Sequence, residues 1–492
     1  MRTLTAMVLF APALLLMGQD KWPQFRGPNS SGIAASDSAL PVEFGPTRRV
    51  LWKQTLPSGH SSPAIWGDRI FLTGFDKDSA KLEVLCLARK NGDILWRRPI
   101  AAEKIEKTHA VSNPANATPV VDGERVYVYF GSYGLAAFDF DGKQLWSVPL
   151  PLPKMTQSSG TSPVIAGELL LLNRDEMTDG YLLAVDRKSG KPVWKQMYPS
   201  SMGMQRESYS TPVVWHEQAI LHRAGFIEGY DLKDGKRKWW VRAQTSGTST
   251  AVVDRDTVYA ATWSPMGEAD QFAPLPDFGA LLEKYDKDGD GQISESEFPA
   301  DLPVIARPDS SNIPGATIQA KPFFKMMLDQ NKDGKIQKTE WDGFLAGIKQ
   351  FKADHGLIAI KPSGDGDVTA NIVWTEKSAI PEVPSPLLYD GRLYMVRNGG
   401  IVTCVNAKSG SVLYRSRLGA GGPYFSSPIA VNGKIYIGSG EGTVVVLAAG
   451  DKLEVLARND LREEIFSTPA AAAGALYVRT AKHLYAFGES TR

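Results

Sequence analysis

Two stretches of this chain place oxygen-bearing side chains at alternate positions of a tight loop. In the first, Asp286, Asp288 and Asp290 stand at positions one, three and five, Gly291 at six, Gln292 at seven, Ser294 at nine and Glu297 at twelve. In the second, Asp329, Asn331, Asp333, Gly334, Lys335, Gln337 and Glu340 repeat the spacing position for position. Carboxylate and amide oxygens at one, three and five, a main-chain carbonyl at seven and a two-oxygen glutamate at twelve form the donor set of a hard cation. The glycine at six permits the sharp turn that converges them. That chemistry is calcium binding. Lys335 at seven is expected to contribute only its carbonyl. Loop one carries four carboxylates and loop two carries three, so loop one is expected to bind more tightly.

These are EF-hand loops, and helices must hold them. Phe278, Leu281, Leu282 and Tyr285 have helical spacing before loop one; Phe323, Phe324, Met327 and Leu328 precede loop two; Trp341, Phe344, Leu345 and Ile348 follow it. Pro299 and Pro303 cut short the exit helix of loop one. Ile293 and Ile336, both at position eight, are expected to pair across the loops. Outside the cytoplasm calcium is plentiful, which favours a structural role over a sensor role.

The remainder of the chain repeats. A Ser/Thr-Pro step precedes a β-rich stretch at Ser62, Thr118, Ser162, Thr211, Ser385, Ser427 and Thr468, with Thr250-Ala251 as a degenerate eighth copy. Each is followed by a glycine turn, an aromatic and β-branched strand, and, in most copies, a Gly-x-x-x-Trp step: Gly92 to Trp96, Gly142 to Trp146, Gly190 to Trp194, Gly235 to Trp239. Gly410 to Tyr414 is a variant, and blade five keeps Trp374 without the glycine. Each unit reads as four short antiparallel strands. One such sheet cannot bury both faces, and radial stacking solves this. The last unit lacks a fourth strand, and the segment Val50–Gln54 has a fourth strand with no preceding three. Joining them closes a ring of eight. The expected fold is therefore all-β: an eight-bladed β-propeller of four-stranded antiparallel blades, with a small α-helical insertion in blade five.

The Gly-x-x-x-Trp repeat resembles the pyrroloquinoline-quinone-like (PQQ-like) β-propeller repeats. Trp22-Pro23-Gln24-Phe25-Arg26-Gly27-Pro28, followed by Gly32, resembles the N-terminal motif of exported bacterial proteins of that type, often described by similarity to an outer-membrane assembly factor. The resemblance covers roughly residues 20–263 and 356–488. It implies the fold; a superfold hosts many functions. Enzymes of the quinoprotein type typically carry adjacent cysteines beside the quinone. Here the two cysteines, Cys86 and Cys404, fall three blades apart, and only Ala184-Val185-Asp186 with Gly190 approaches the fuller repeat signature.

The expected organisation is a signal peptide over 1–18, a first propeller part over 19–263 whose N-terminal strand closes the last blade, the EF-hand pair over 264–355, and a second propeller part over 356–492. The leader reading rests on Arg2, the apolar run Leu4–Met17 and a small Gly18. It implies export, to the periplasm or the extracellular space. No other stretch is apolar enough to cross a membrane. With 55 basic and 54 acidic residues, nothing argues for nucleic acid. The insert interrupts blade five between Val258–Thr262 and Gly356–Ile360, which should set it on the same face as the Ser/Thr-Pro crossovers, beside the channel mouth.

At that mouth, Arg174, Arg223 and Arg397 follow their repeat prolines at one offset. They could form a basic collar for carboxylate or phosphate, or each could pair with a local acid such as Asp175 or Glu228. His60, Asn116, Arg206, Glu207 and Tyr209 belong to the crossovers, as binding groups or as ordinary loop residues. Trp263 is a stacking platform or is packed beneath the insert. No catalytic residue is assigned. The expected function is a non-catalytic, monomeric calcium-binding propeller that holds a protein, peptide or glycan partner at its mouth. The alternative is a PQQ- and calcium-dependent alcohol or sugar dehydrogenase, with PQQ the less favoured cofactor.

Overall fold

The computed structural model describes residues 20–489 apart from 35–39, 200–206, 266, 269–270, 308–316 and 351–353. The proposed leader and Arg206 lie outside the described residues. Eight sheets of antiparallel strands form the blades. Blade one comprises Ala64–Trp66, Arg69–Asp76, Lys81–Ala88 and Ile94–Ile100. Blade five comprises Val252–Val253, Val258–Thr262, Gly356–Ile360 and Ile372–Glu376, so its second and third strands pair across the whole insertion, Thr262 opposite Gly356. Blade eight takes Ala470–Ala472, Ala475–Arg479 and His483–Gly488 from the C-terminus and Val50–Thr55 from the N-terminus, with Lys53 opposite Tyr485. That pairing closes the ring.

Burial shows why a ring forms. Second and third strands are buried on both faces, as in Arg125–Phe130 and Gly134–Asp139, because a neighbouring sheet covers each side. The outermost strand, Gln144–Pro149, alternates between half-buried and exposed. The Gly-x-x-x-Trp step proves to be a bond between blades. The Trp146 indole donates to the carbonyl of Arg187 at 3.1 Å, and its ring lies where a Cβ on Gly190 (φ 72°) would sit, 2.7 Å away. Trp52 with Gly92, Trp96 with Gly142, Trp194 with Gly235 and Trp374 with Gly410 repeat the clasp. Blade five offers no such glycine, and the Trp239 indole turns instead to Gln218 at 2.8 Å.

Both cysteines are buried and free. The helix expected before loop two is replaced by a 3-10 turn, Lys321–Phe323, and a π-type turn, Phe324–Leu328. Pro322 fixes the start of this segment and leaves too little chain for an α-helix before the loop begins. After loop one, Pro303–Ile305 pairs as a strand with Ile318–Gln319 instead of continuing a helix. No helix among the described residues is long and apolar enough to cross a membrane.

Candidate functional site

The repeat Ser/Thr residues line one cavity, the channel, of about 180 Å³. They also bond to one another. Each backbone N–H donates to the hydroxyl oxygen of the next blade: Ser62 to Thr118, Thr118 to Ser162, Ser162 to Thr211, Thr211 to Thr250, Thr250 to Ser385, Ser385 to Ser427, Ser427 to Thr468 and Thr468 back to Ser62, all at 2.9–3.1 Å. This closed circuit explains why a short hydroxyl side chain recurs there. The short Ser or Thr side chain places its oxygen within reach of a main-chain N–H one blade away.

Two residues upstream of each ring position stands a second, uneven ring: His60, Asn116, Gly160, Tyr209, Thr248, Val383, Phe425 and Phe466, all lining the same cavity. Phe425 stacks on Phe466 at 5.0 Å and Phe466 on His60 at 4.3 Å, so blades seven, eight and one present an aromatic arc. Burial pulls the His60 imidazole down to about 3, and it is neutral at physiological pH. Phe25 also lines the cavity. Its segment crosses the far end of the channel. Lys21–Trp22 pairs with blade one, Pro23 accepts from Val121 of blade two, Arg26 reaches Pro386 of blade six, and Ile33 bridges Ala430 of blade seven. Asn29, Ser30 and Ser31 lie beside the Asp254 and Asp390 turns, on the face opposite the crossovers. The channel therefore opens on the crossover face.

The arginines at the ends of the second strands are engaged locally. Arg174 pairs with Glu176 and donates to Pro151; Arg223 binds Asp175 and Glu228, each at 3.0 Å; Arg397 binds Glu268 at 3.1 Å. None lines the cavity. Glu207 accepts from the Thr156 N–H at 2.9 Å and the Tyr209 hydroxyl at 2.6 Å. Asn116 donates to Ser158 at 3.1 Å and accepts from the Asn113 N–H at 3.0 Å. Of the residues singled out from the sequence, His60 and Asn116 enter the rim, joined by Tyr209. Phe425, Phe466, Val383 and Thr248 were missed. Counting two residues back from every repeat Ser/Thr would have found them.

The insert holds both loops against a core of Phe278, Leu281, Phe298, Phe324, Trp341 and Phe344. The helix Phe278–Tyr285 begins at Asp277, whose side chain accepts from Ala280 N–H at 2.8 Å, and Lys338–Gln350 leaves loop two. Ile293 pairs with Ile336. In loop one, Asp286, Asp288 and Asp290 bring carboxylate oxygens within 4.8 Å of one another. Glu297 folds back onto the start of the loop, where it accepts from the Lys287 and Asp288 N–H groups. Hydrogen bonds from Ser294 and from the Lys287 N–H hold its carboxyl down to about 2. In loop two, Asp329 accepts from Gly334 N–H at 3.0 Å, and Glu340 from Gln330 and Gln337 N–H at 2.9 and 3.0 Å. The same main-chain scaffold therefore sets both. Asn331, Asp333 and Gln337 are tied by their side chains. An all-oxygen donor set of this kind fits calcium. Gln292 meets Gln337 across the loops at 3.2 Å. Lys335 does more than offer a carbonyl: its ammonium pairs with Asp290 of loop one, placing a positive charge beside the loop with more carboxylates.

The insert is tied to the mouth. Phe272 bridges Ile305, and the Trp341 indole donates to Pro276 at 2.9 Å. Arg307 stands over Trp263, which is buried at its root. Glu268 accepts from the Ala379 and Ile380 N–H groups at 2.7 and 2.8 Å, gripping the crossover that leads to Val383 and Ser385.

A family model described as outer membrane protein assembly factor BamB matches residues 37–271 and 398–491, and an EF-hand model matches 278–299 and 326–345. The chain is 23% identical over 236 residues to outer membrane protein assembly factor BamB of Burkholderia pseudomallei (strain K96243), covering 45% of this chain and 58% of that protein. It is 27% identical over 176 residues to quinohemoprotein alcohol dehydrogenase of Comamonas testosteroni, covering 33% of this chain and 24% of that protein. The crystal structure of BamB from Moraxella catarrhalis superposes with a TM-score of 0.53 at 14% identity, over 89% of this chain and 98% of that one, a likeness of fold.

Proposed function

The chain belongs to the family described as outer membrane protein assembly factor BamB, and from that premise we propose that it is an exported, calcium-binding propeller that holds a protein or peptide partner at its mouth without catalysing a reaction. The observation that carries this reading is the channel that opens on one face. An uneven rim with an aromatic arc of Phe425, Phe466 and His60 surrounds that opening, and the insert is rooted beside it through Glu268. An apolar arc on one side of a polar rim gives a bound segment one preferred orientation. In the insert, Asp286, Asp288, Asp290, Gln292, Ser294 and Glu297 hold one calcium ion, and Asp329, Asn331, Asp333, Lys335, Gln337 and Glu340 a second, with Gln292 and Lys335 acting through their carbonyls. Bound calcium neutralises the clustered carboxylates and stiffens the insert. The test is capture of partners from an envelope extract by the intact chain, by Phe466→Ala and by an outer-strand control, Leu145→Ala. A partner held by wild type and control but lost from Phe466→Ala supports the rim; equal capture by all three sinks it.

One observation favours a second reading. The match to quinohemoprotein alcohol dehydrogenase is the basis for a PQQ- and calcium-dependent alcohol or sugar dehydrogenase, with the quinone in the channel. Reconstitution of the purified chain with PQQ and calcium decides it: quinone absorbance that stays with the protein, with dye reduction by an alcohol or sugar, would replace the first reading.

A further inference from the structure

The hydroxyl ring has a one-sided hydrogen-bond inventory. Each of its eight oxygens accepts a main-chain N–H from the preceding blade. A hydroxyl also carries one hydrogen to donate. Among the described residues, none of the eight donates to a protein acceptor, although all are at most 3% exposed and all line the channel. The described residues of the cavity wall include no aspartate and no glutamate to receive them. The channel is thus collared by eight hydroxyl hydrogens that have no protein acceptor among the described residues.

Two buried guanidinium groups lie behind that collar, and neither meets a carboxylate. Arg26 is fully buried. Its Nη2 donates to the carbonyl of Pro386, next to the ring residue Ser385, while its Nε and Nη1 have no partner. Arg479 donates only to Ser61, Thr73 and Pro57, and Ser61 adjoins the ring residue Ser62. Burial lowers both to about 9, so both remain cationic at neutral pH. Arg174, Arg223 and Arg397 differ in this respect, since each of them has an acid.

We propose that the channel is a binding site for a single carboxylate group, which takes its hydrogen bonds from the ring hydroxyls and its counter-charge from Arg26 and Arg479. Buried charges without partners are retained where something compensates them. A carboxylate supplies acceptor sites and no donors, the complement of this collar. The contact layer is hydroxyl and the guanidinium groups stand behind it, which favours a singly charged group over a phosphate gripped by arginine forks. The carboxylate belongs either to a free small acid or to the C-terminus of a partner chain. The proposal rests on the partner-binding reading in naming what the mouth recognises. Loss of partner capture with carboxylate binding intact would sink that reading alone.

The probe is carboxyl-labelled acetate, read by the broadening of its carbon resonance in the presence of the full-length protein. Saturable broadening is expected, weakened about fivefold or more in Arg26→Gln and in Thr211→Val. The two positions lie on different parts of the collar, so one informative variant suffices if the other fails to fold. A short peptide with a free C-terminus is compared with its amidated form. If the free acid outcompetes acetate about tenfold and the amide does not, the source is a chain end; if free acid and acetate compete equally, it is a small acid. Broadening that does not saturate, or that survives in every variant that folds, overturns the site. So does a crystal structure in acetate that shows only water inside the ring.

Discussion

The propeller and its insert are stabilised in opposite ways. Every blade meets the next through a Ser/Thr hydroxyl accepting an N–H, and five of the eight junctions add a tryptophan clasped on a glycine turn. The closed circuit needs no ligand, and the loss of one clasp is shared among the rest. The insert is a small core beneath two loops, the first of which brings the carboxylates of Asp286, Asp288 and Asp290 together with the Lys335 ammonium beside Asp290. Such a unit is opposed by its own charge until a cation is bound. Repetition makes the propeller self-sufficient, whereas the calcium proposed for the insert would supply the stability its small core lacks. The two meet at Glu268, which grips a mouth crossover.

The largest effect that sharpens this contrast is calcium removal. Ligand binding to the folded state at a thousandfold excess over Kd contributes about 4 kcal/mol. Chelation should therefore lower a distinct insert transition in calorimetry by about 10 °C or more while the main transition moves by about 2 °C or less. A main transition that falls as far as the insert's would break the contrast. Next is the clasp. In Gly235→Val, a Cβ would meet Trp194 at 2.5 Å on a backbone with φ 73°, and the expected cost is about 3 kcal/mol in urea unfolding. Gly433→Ala, also at positive φ but with open space around it, should cost about 1 kcal/mol.

Proton uptake gives an intermediate effect confined to the propeller. Burial holds the His222 imidazole down to about 4, with its ring nitrogens bonded to Ser249 and Thr245. Its folded value lies below its unfolded one. Between about pH 6.5 and 4 the unfolded chain therefore takes up a proton that the folded chain refuses, and stability falls as pH falls. The loss should reach about 2–3 kcal/mol at pH 4.5. His222→Gln, compared with wild type at pH 7 and 4.5, should remove the His222 share of that slope and leave the part due to His60 and His355; an unchanged slope would refute the assignment. The smallest effect tests the junction. Glu268→Gln should cost about 1–2 kcal/mol and raise hydrogen exchange in the 377–386 crossover, with calcium affinity unchanged. Unaltered exchange would mean that the insert does not brace the mouth.

How much was legible in advance depended on whether the signal was local. The blade count could be read because Ser/Thr-Pro recurs at seven blade entrances with Thr250-Ala251 as the degenerate eighth, and ring closure because the last unit lacked a strand that Val50–Gln54 could supply. The two EF-hand loops could be read because each pattern is complete within twelve residues. The helix before loop two was misjudged, since Pro322 starts the segment only seven residues before Asp329 and the chain forms a 3-10 and a π-type turn there. The rim stayed hidden because its shared property is an offset from the ring, not a residue type. The arginines could be counted, but not their partners: Glu268 reaches Arg397 from 129 residues away.

By itself the sequence determined what short range dictates: strands, glycine turns, loop ligands and the period that forces a ring. The tertiary structure alone decided which groups face each other across the channel. Arg26 and Pro386, 360 residues apart, meet because stacking sheets around an axis brings distant positions together, and no local pattern encodes the charge that such a meeting leaves unpaired.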